Sequence, residues 1–252
     1  MKYHRENYDI DKICPLWADY QVVNLIKPNS TILEIGCATG YIGKFLREKR
    51  GCKMYAIEIN NELAEFAKPY YEKIIVGDVE DENTLKRLAS EILSYYNNLD
   101  TNFFDYILCM NVLEHLRYPD KVLVNLKKFL KPNGSLIASI PNIAHWSIRL
   151  KLLFGNFDYD RGLFGSDHGK GIMDETHLKF FTLKTMREIF TKSGYKIEYI
   201  SFDPDKGIPK LHGLLLRIPG GWKLLKKLYS ISPTLFAFQF IFKVSIYCKE
   251  EK

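Results

Sequence analysis

Little in this sequence points to secretion, disulfide bracing or membrane insertion. No segment approaches the ~20 consecutive apolar residues of a spanning helix. The nearest, LFAFQFIF at 235–242, is eight residues long and contains Gln239. The five cysteines, Cys14, Cys37, Cys52, Cys109 and Cys248, are odd in number and scattered, with no CxxC pair. That argues against a disulfide framework and suits reduced thiols in a cytoplasmic protein. The opening MKYHRENYDI lacks the apolar stretch of a signal peptide. No internal repeat or low-complexity tract stands out. The net charge of +6, with a pI near 8.9, falls short of the value above ~9 that puts nucleic acid first among partners.

What is present is an apolar content of 46% over 252 residues, enough for one domain with a sizeable core, read here as a single unit over 1–252. Apolar runs alternate with helical patterns. Runs at 31–35, 53–59, 74–76, 103–109 and 135–140 are short and rich in Ile, Leu, Val, Phe and Tyr, as strands covered on both faces are. Between them, 41–50, 60–69, 84–97 and 119–130 have helical period and length. This alternation predicts an α/β fold with a doubly wound, mostly parallel, seven-stranded sheet. Pro132, Asn133 and Gly134 predict a turn ending the helix at 119–130. After Pro141 the pattern breaks. A glycine-rich insertion over 141–182 reads as a lid on the acceptor side, with 155–171 as its mobile part. A helix at 182–193, capped by Gly194, precedes a strand at 195–202. The basic segment 204–233 then leads to a last, long strand over 236–248.

The stretch TILEIGCATGYIG at 31–43 is a strand running directly into a helix. Free amides at a helix start suit an anion or polar ligand edge, and glycine admits a ligand close to the backbone. The order Gly36-Cys37-Ala38-Thr39-Gly40-Tyr41-Ile42-Gly43 displaces the middle glycine of a dinucleotide fingerprint, which weakens a pyrophosphate reading. Glu34, two residues before the first glycine, suits an ammonium group. Glu58 ends the second strand, where an acid takes ribose hydroxyls. Asp78 ends the third, where it can accept from a base's exocyclic amine with Val79 against the ring. Each acid alone could be an ordinary loop residue.

LEIGCATG, AIEIN, VGDVED and FDYILCMNVLEHLRYPD together resemble class I S-adenosylmethionine-dependent methyltransferases, over about residues 20 to 202. The chain is most similar to ubiquinone-biosynthesis-type O-methyltransferases. Its stretch IPNIAHWSIRLKLLFGNFDY…GIMDETHLKFFT is similar to methyltransferases of bacterial surface-glycan gene clusters. The resemblance implies a Rossmann-like fold with an antiparallel last strand and its cofactor-binding half at 20–140. It implies S-adenosyl-L-methionine as cofactor and S-adenosyl-L-homocysteine as product. It implies Glu34, Gly36, Cys37 and Gly40 around the methionine, Glu58 on the ribose, Asp78 and Val79 at the adenine, and Asn111 near the sulfonium, with Ile59 also among the cofactor-binding residues.

Methyl transfer to a hydroxyl needs positioning and a proton acceptor. His115, His145 and His177 fall where the active edge of the sheet is expected, and His titrates near working pH. Arg149, four residues after His145, and Asn142 are candidate acceptor-binding residues; Arg149 could equally be a solvated helix residue. Glu114, His115 and His177 resemble part of the metal site of small-RNA 2′-O-methyltransferases. Asn111 stands where that pattern has a further Glu, so a hard cation loses an anionic ligand. The function read here is O-methylation of a small-molecule or glycan acceptor. Metal-assisted RNA 2′-O-methylation and nicotinamide-dependent oxidoreduction are the alternatives. Between Lys206 and Lys249 there is no acid, and basic residues alternate with Leu and Trp222. That pattern fits peripheral contact of 206–228 with an inner membrane face, or a helix packing its Leu side on the domain. Nothing in the sequence fixes the oligomeric state.

Overall fold

The computed structural model describes residues 9–96, 102–155, 176–204 and 211–247. Seven strands run in chain order: β1 Thr31–Ile35, β2 Lys53–Glu58, β3 Lys73–Val76, β4 Phe104–Met110, β5 Leu130–Pro141, β6 Tyr195–Asp203 and β7 Gln239–Ile246. The first helices are α1 Ala18–Asn24, α2 Tyr41–Arg50, α3 Asn61–Ala67, α4 Glu82–Tyr96 and α5 Pro119–Leu126. They are followed by α6 Trp146–Leu153, α7 Leu183–Lys192, α8 Leu211–Leu216, α9 Gly221–Tyr229 and α10 Pro233–Phe236.

The strands form one sheet in the order β3-β2-β1-β4-β5-β7-β6. β1 to β5 pair in parallel, and β7 runs antiparallel to both β5 and β6. Successive side chains of a strand face opposite ways, and the core divides accordingly. Leu33, Ile107 and Cys109 join one cluster, while Ile32, Tyr106 and Leu108 join the other. This explains the unbroken apolar runs: both faces are covered. The order reverses direction at β1, between β2 and β4. In open α/β sheets that reversal opens a crevice at the carboxyl ends of the strands.

One local expectation is corrected. α5 ends at Leu126, a 3-10 turn spans Lys127–Phe129, and β5 already begins at Leu130. Pro132-Asn133-Gly134 is thus no turn after a helix; it is a bulge inside a strand. Leu130 pairs with Phe104 and Ser135 with Tyr106, so the residues between oppose Asp105 alone. Pro132 has no amide to give the ladder, and a Cβ at Gly134 would lie 3.0 Å from the Phe104 and Lys131 carbonyl oxygens, a contact that glycine avoids.

The described residues of the basic segment form a pair of helices, α8 and α9. α9 turns Leu225 and Tyr229 into the core and leaves Lys223, Lys226, Lys227 and Leu224 outside. The lid assigned to 155–171, with Phe157, Tyr159 and Phe164, lies outside the described residues apart from Gly155, as do Lys206, Lys210 and Cys248.

Candidate active site

The turn after β1 takes three left-handed residues: Gly36 (φ 70°), Ala38 (φ 48°) and Gly40 (φ 78°). A side chain at Gly40 would meet Ala67 Cβ at 2.9 Å, and one at Gly43 would overlap the Tyr71 hydroxyl. Two of the three glycines therefore make room for α3 and for Tyr71, in addition to any ligand. Tyr71 is the residue the sequence reading missed. Its hydroxyl donates to Glu34 Oε2 at 2.6 Å, with both side chains buried. Burial pushes the Glu34 carboxyl up to about 8, against the lowering effect of the Tyr71 hydrogen bond. Glu34 is thus held beneath the turn by a protein partner. Burial also pushes the Cys37 thiol up, so it acts as a small packed side chain.

Glu58 is buried at the end of β2, and its two oxygens accept from the Ala38 amide (2.8 Å) and the Asn60 amide (3.0 Å). The carboxylate holds the strained Ala38 against its own strand end and keeps further lone pairs for a ligand. Beside it Ile59 is 69% exposed, a large apolar side chain left uncovered. Asp78 is exposed and accepts from the Glu80 amide at 2.8 Å, while Val79 is buried. Glu80 reaches across to accept from the Arg117 and Tyr118 amides at 3.0 and 2.7 Å, tying the loop after β3 to the start of α5.

At the end of β4, Asn111 also takes the left-handed region (φ 52°). Its Oδ1 accepts from Ser139 Oγ at 3.3 Å. A non-glycine residue there stores strain of a kind that gathers at functional sites. Three residues on, Glu114 is 1% exposed and neither carboxylate oxygen has a hydrogen-bond partner. Burial pushes it up to about 8. The Glu114 carbonyl accepts from the Leu178 and Lys179 amides, at 2.8 and 2.9 Å, and this brings His177 to His115. Their rings meet edge to face at 4.8 Å, and ligand atoms of Glu114, His115 and His177 all lie within 4.8 Å of one another. His115 Nδ1 is 3.1 Å from the Thr176 carbonyl. A carbonyl only accepts, so Nδ1 carries the hydrogen in the neutral ring and Nε2 presents its lone pair.

His145 stands apart. It caps α6, with Nδ1 2.8 Å from Ser147 Oγ, and its ring packs on Trp146 and Phe238. Its Nε2 and the Trp146 Nε1 are buried without partners. Desolvation pulls the imidazole down to about 4, which makes it a weak base. Asn142 departs from its expected role in acceptor binding. It is fully buried, donates to the Thr234 and Ala237 carbonyls at 3.0 and 2.8 Å, and accepts from the Ala144 amide at 3.0 Å. It fastens the chain before β7 to the end of β5 and has little capacity left for a ligand. Arg149 is exposed and spends its Nε on the Ala144 carbonyl at 2.6 Å, leaving its terminal nitrogens outward. A groove of about 650 Å³ between α5 and α7, lined in part by Lys121 and Glu188, includes none of these residues.

The family described as methyltransferase domain matches residues 4–200. Ubiquinone biosynthesis O-methyltransferase of Xanthomonas campestris pv. campestris is 26% identical over 128 residues, 51% of this chain and 50% of that protein. The chain spans about half the length of the curated relatives it matches. A solved S-adenosylmethionine-dependent methyltransferase from Archaeoglobus fulgidus has a TM-score of 0.56, with 15% identity over 90% of each chain. A methyltransferase solved with the Haloferax volcanii Trm112 activator also gives 0.56, with 14% identity over 94% of this chain and 91% of that one. At these identities the two structures speak for the fold.

Proposed function

The chain belongs to the methyltransferase-domain family and is an S-adenosylmethionine-dependent enzyme, and on that premise we propose that it methylates an oxygen of a small-molecule or glycan-type acceptor. Bound S-adenosylmethionine supplies an electrophilic methyl group. The chain offers groups for that ligand: acids at the adjoining ends of β1, β2 and β3 for its amino, ribose and adenine parts, and the exposed Ile59 as an apolar contact. Asn111, at the end of the next strand, is the residue assigned here to the sulfonium.

The acceptor oxygen must lose a proton as its bond to the methyl carbon forms. His115 is the base this site supports best. The observation that carries it is the Thr176 carbonyl on Nδ1, which leaves Nε2 as the free acceptor. His177 packs edge to face against the same ring. His145 is the weaker base, and Arg149 remains available for an acidic group on the acceptor.

The test is S-adenosylhomocysteine release from a pool of phenolic and sugar acceptors. His115→Ala should slow it by about 10² to 10⁴, with S-adenosylhomocysteine affinity unchanged by calorimetry. Turnover that ignores both His115→Ala and His177→Ala would remove the base from this reading.

The clustering of Glu114, His115 and His177 supports a second reading, a divalent-ion site assisting the same transfer. One carboxylate and two imidazoles leave an open coordination position, as catalytic zinc sites do. Nδ1–H bonded to a backbone carbonyl is also how a liganding histidine is oriented. Chelation separates the two: activity that survives it makes His115 a base, and activity lost with chelator and restored by added metal makes it a ligand.

A further inference from the structure

Most of the large apolar side chains exposed among the described residues leave the sheet from one edge. β6 ends at Asp203 and β7 begins at Gln239, opposite Asp203 and Pro141. The connections after β5 and β6 therefore both depart from the carboxyl edge, the edge that carries the strand-end acids. In the second connection Leu214, Leu216, Ile218, Leu224 and Ile231 are all exposed, Ile231 to 78%. In the first, Leu152, Leu153 and Phe154 are exposed at the end of α6.

The α8–α9 pair is a built element. Its exposed side chains do not belong to a loose strand of loop. Leu225 and Tyr229 anchor α9 in the core, and Leu215 packs against the core from α8. Gly221 lacks the Cβ that would overlap the Leu215 carbonyl, so the two helices meet closely. What this anchored pair turns outward is apolar residues together with Arg217, Lys223, Lys226 and Lys227. No carboxylate within 206–249 offsets that charge. Protruding Leu and Ile among uncompensated cations match the interface of an anionic bilayer, where apolar tips enter the headgroup boundary and each cation gains from the surface potential.

We propose that the α8–α9 pair docks the protein on an anionic lipid surface, with the carboxyl edge of the sheet turned toward the bilayer. The acceptor is then an amphiphile, a hydroxyl-bearing group held at the membrane by a lipid chain; this second clause rests on the methyl-transfer reading above, and the docking itself does not.

The test is sedimentation of the full chain with vesicles of phosphatidylglycerol and phosphatidylcholine against vesicles of phosphatidylcholine alone. The native chain should partition onto the anionic vesicles and be released by salt. Lys223→Gln, Lys226→Gln and Lys227→Gln combined should lower partitioning by roughly a hundred-fold. Leu214→Ser with Ile218→Ser should lower it by roughly ten-fold. Thermal melting and S-adenosylhomocysteine calorimetry check that each variant is folded. No sedimentation of the native chain, or equal sedimentation of all variants, overturns the proposal. So does a native dimer that the Leu214→Ser, Ile218→Ser chain converts to a monomer, because the patch then belongs to a second copy. Vesicle binding with no S-adenosylhomocysteine binding would leave the docking standing and remove the methyl-transfer reading.

Discussion

The two halves of the carboxyl edge differ in one respect. On the side of β1, β2 and β3, each acid has a protein donor: Glu34 has the Tyr71 hydroxyl, Glu58 the Ala38 and Asn60 amides, Asp78 the Glu80 amide. On the side of β4 and β5, among the described residues, stand all the buried side-chain atoms without a partner: both oxygens of Glu114, Nε2 of His145 and Nε1 of Trp146. Buried polar groups are normally satisfied. One half is organised in advance, which suits a nucleoside cofactor of constant shape. The other keeps polar atoms in reserve, which suits an acceptor or ion that completes them. The exposed side of this second half continues into the apolar and basic connections.

The largest change expected within this contrast is at Asn142, the satisfied exception on the β5 side. Asn142→Ala leaves the Thr234 and Ala237 carbonyls and the Ala144 amide unpaired. That should destabilise folding by about 3 kcal/mol, read from the denaturation midpoint. A loss of turnover at native stability would return Asn142 to the acceptor site and blur the division. Next is Glu58→Gln, which neutralises a charge the organised half depends on. S-adenosylhomocysteine affinity should fall by roughly 10- to 100-fold. Glu114→Gln is the matching change across the edge. It should leave that affinity within about two-fold. An equal fall for both variants would end the distinction between the halves.

Glu114→Gln has a signature of its own in pH. The folded carboxyl is raised from 4.5 to about 8, so between those values the folded chain holds a proton the unfolded chain has released. The stability tied to this proton is fully present below 4.5 and is lost as pH rises through about 8. The Gln variant has no such proton, so its denaturation midpoint should fall less steeply over that window. Parallel profiles would show Glu114 already paired, by an ion or by a reorganised neighbour.

These contrasts also mark what the sequence could tell. Strand–helix alternation and the acids at strand ends are local patterns: short apolar runs alternate with segments of 3.6-residue period and expose them directly, whereas the direction of the last strand followed from the family resemblance. The Pro132-Asn133-Gly134 bulge obeys turn chemistry locally but is overruled by the pairing of β5 with β4. Partners far along the chain left no signal of this kind. Tyr71 lies 37 residues from Glu34, and the carbonyls that occupy Asn142 are 92 and 95 residues away. The meeting of His115 with His177 depends on the Glu114 carbonyl catching two amides, and no side-chain motif encodes that. Gly43 reads as part of a ligand turn, yet its neighbour in space is Tyr71.

Of the two variants expected to weaken the ligand, Tyr71→Phe gives the smaller loss and the finer test of the organised half. Glu34 sits near 8 because burial outweighs the Tyr71 hydrogen bond, which pulls the other way. Removing the hydroxyl lets the carboxyl rise further and hold its proton to higher pH. A ligand ammonium prefers the ionised form. The native chain should therefore bind S-adenosylhomocysteine more tightly as pH rises toward 8, and the variant should show the same rise displaced upward. At neutral pH the loss should be about five-fold, the worth of one modest hydrogen bond. Calorimetry across pH ~6 to ~9 reads both quantities. A displaced profile makes Tyr71 a residue that tunes Glu34 for the ligand. A uniform drop at every pH would mean that Tyr71 acts by packing against Gly43 alone, and that Glu34 does not meet the ammonium.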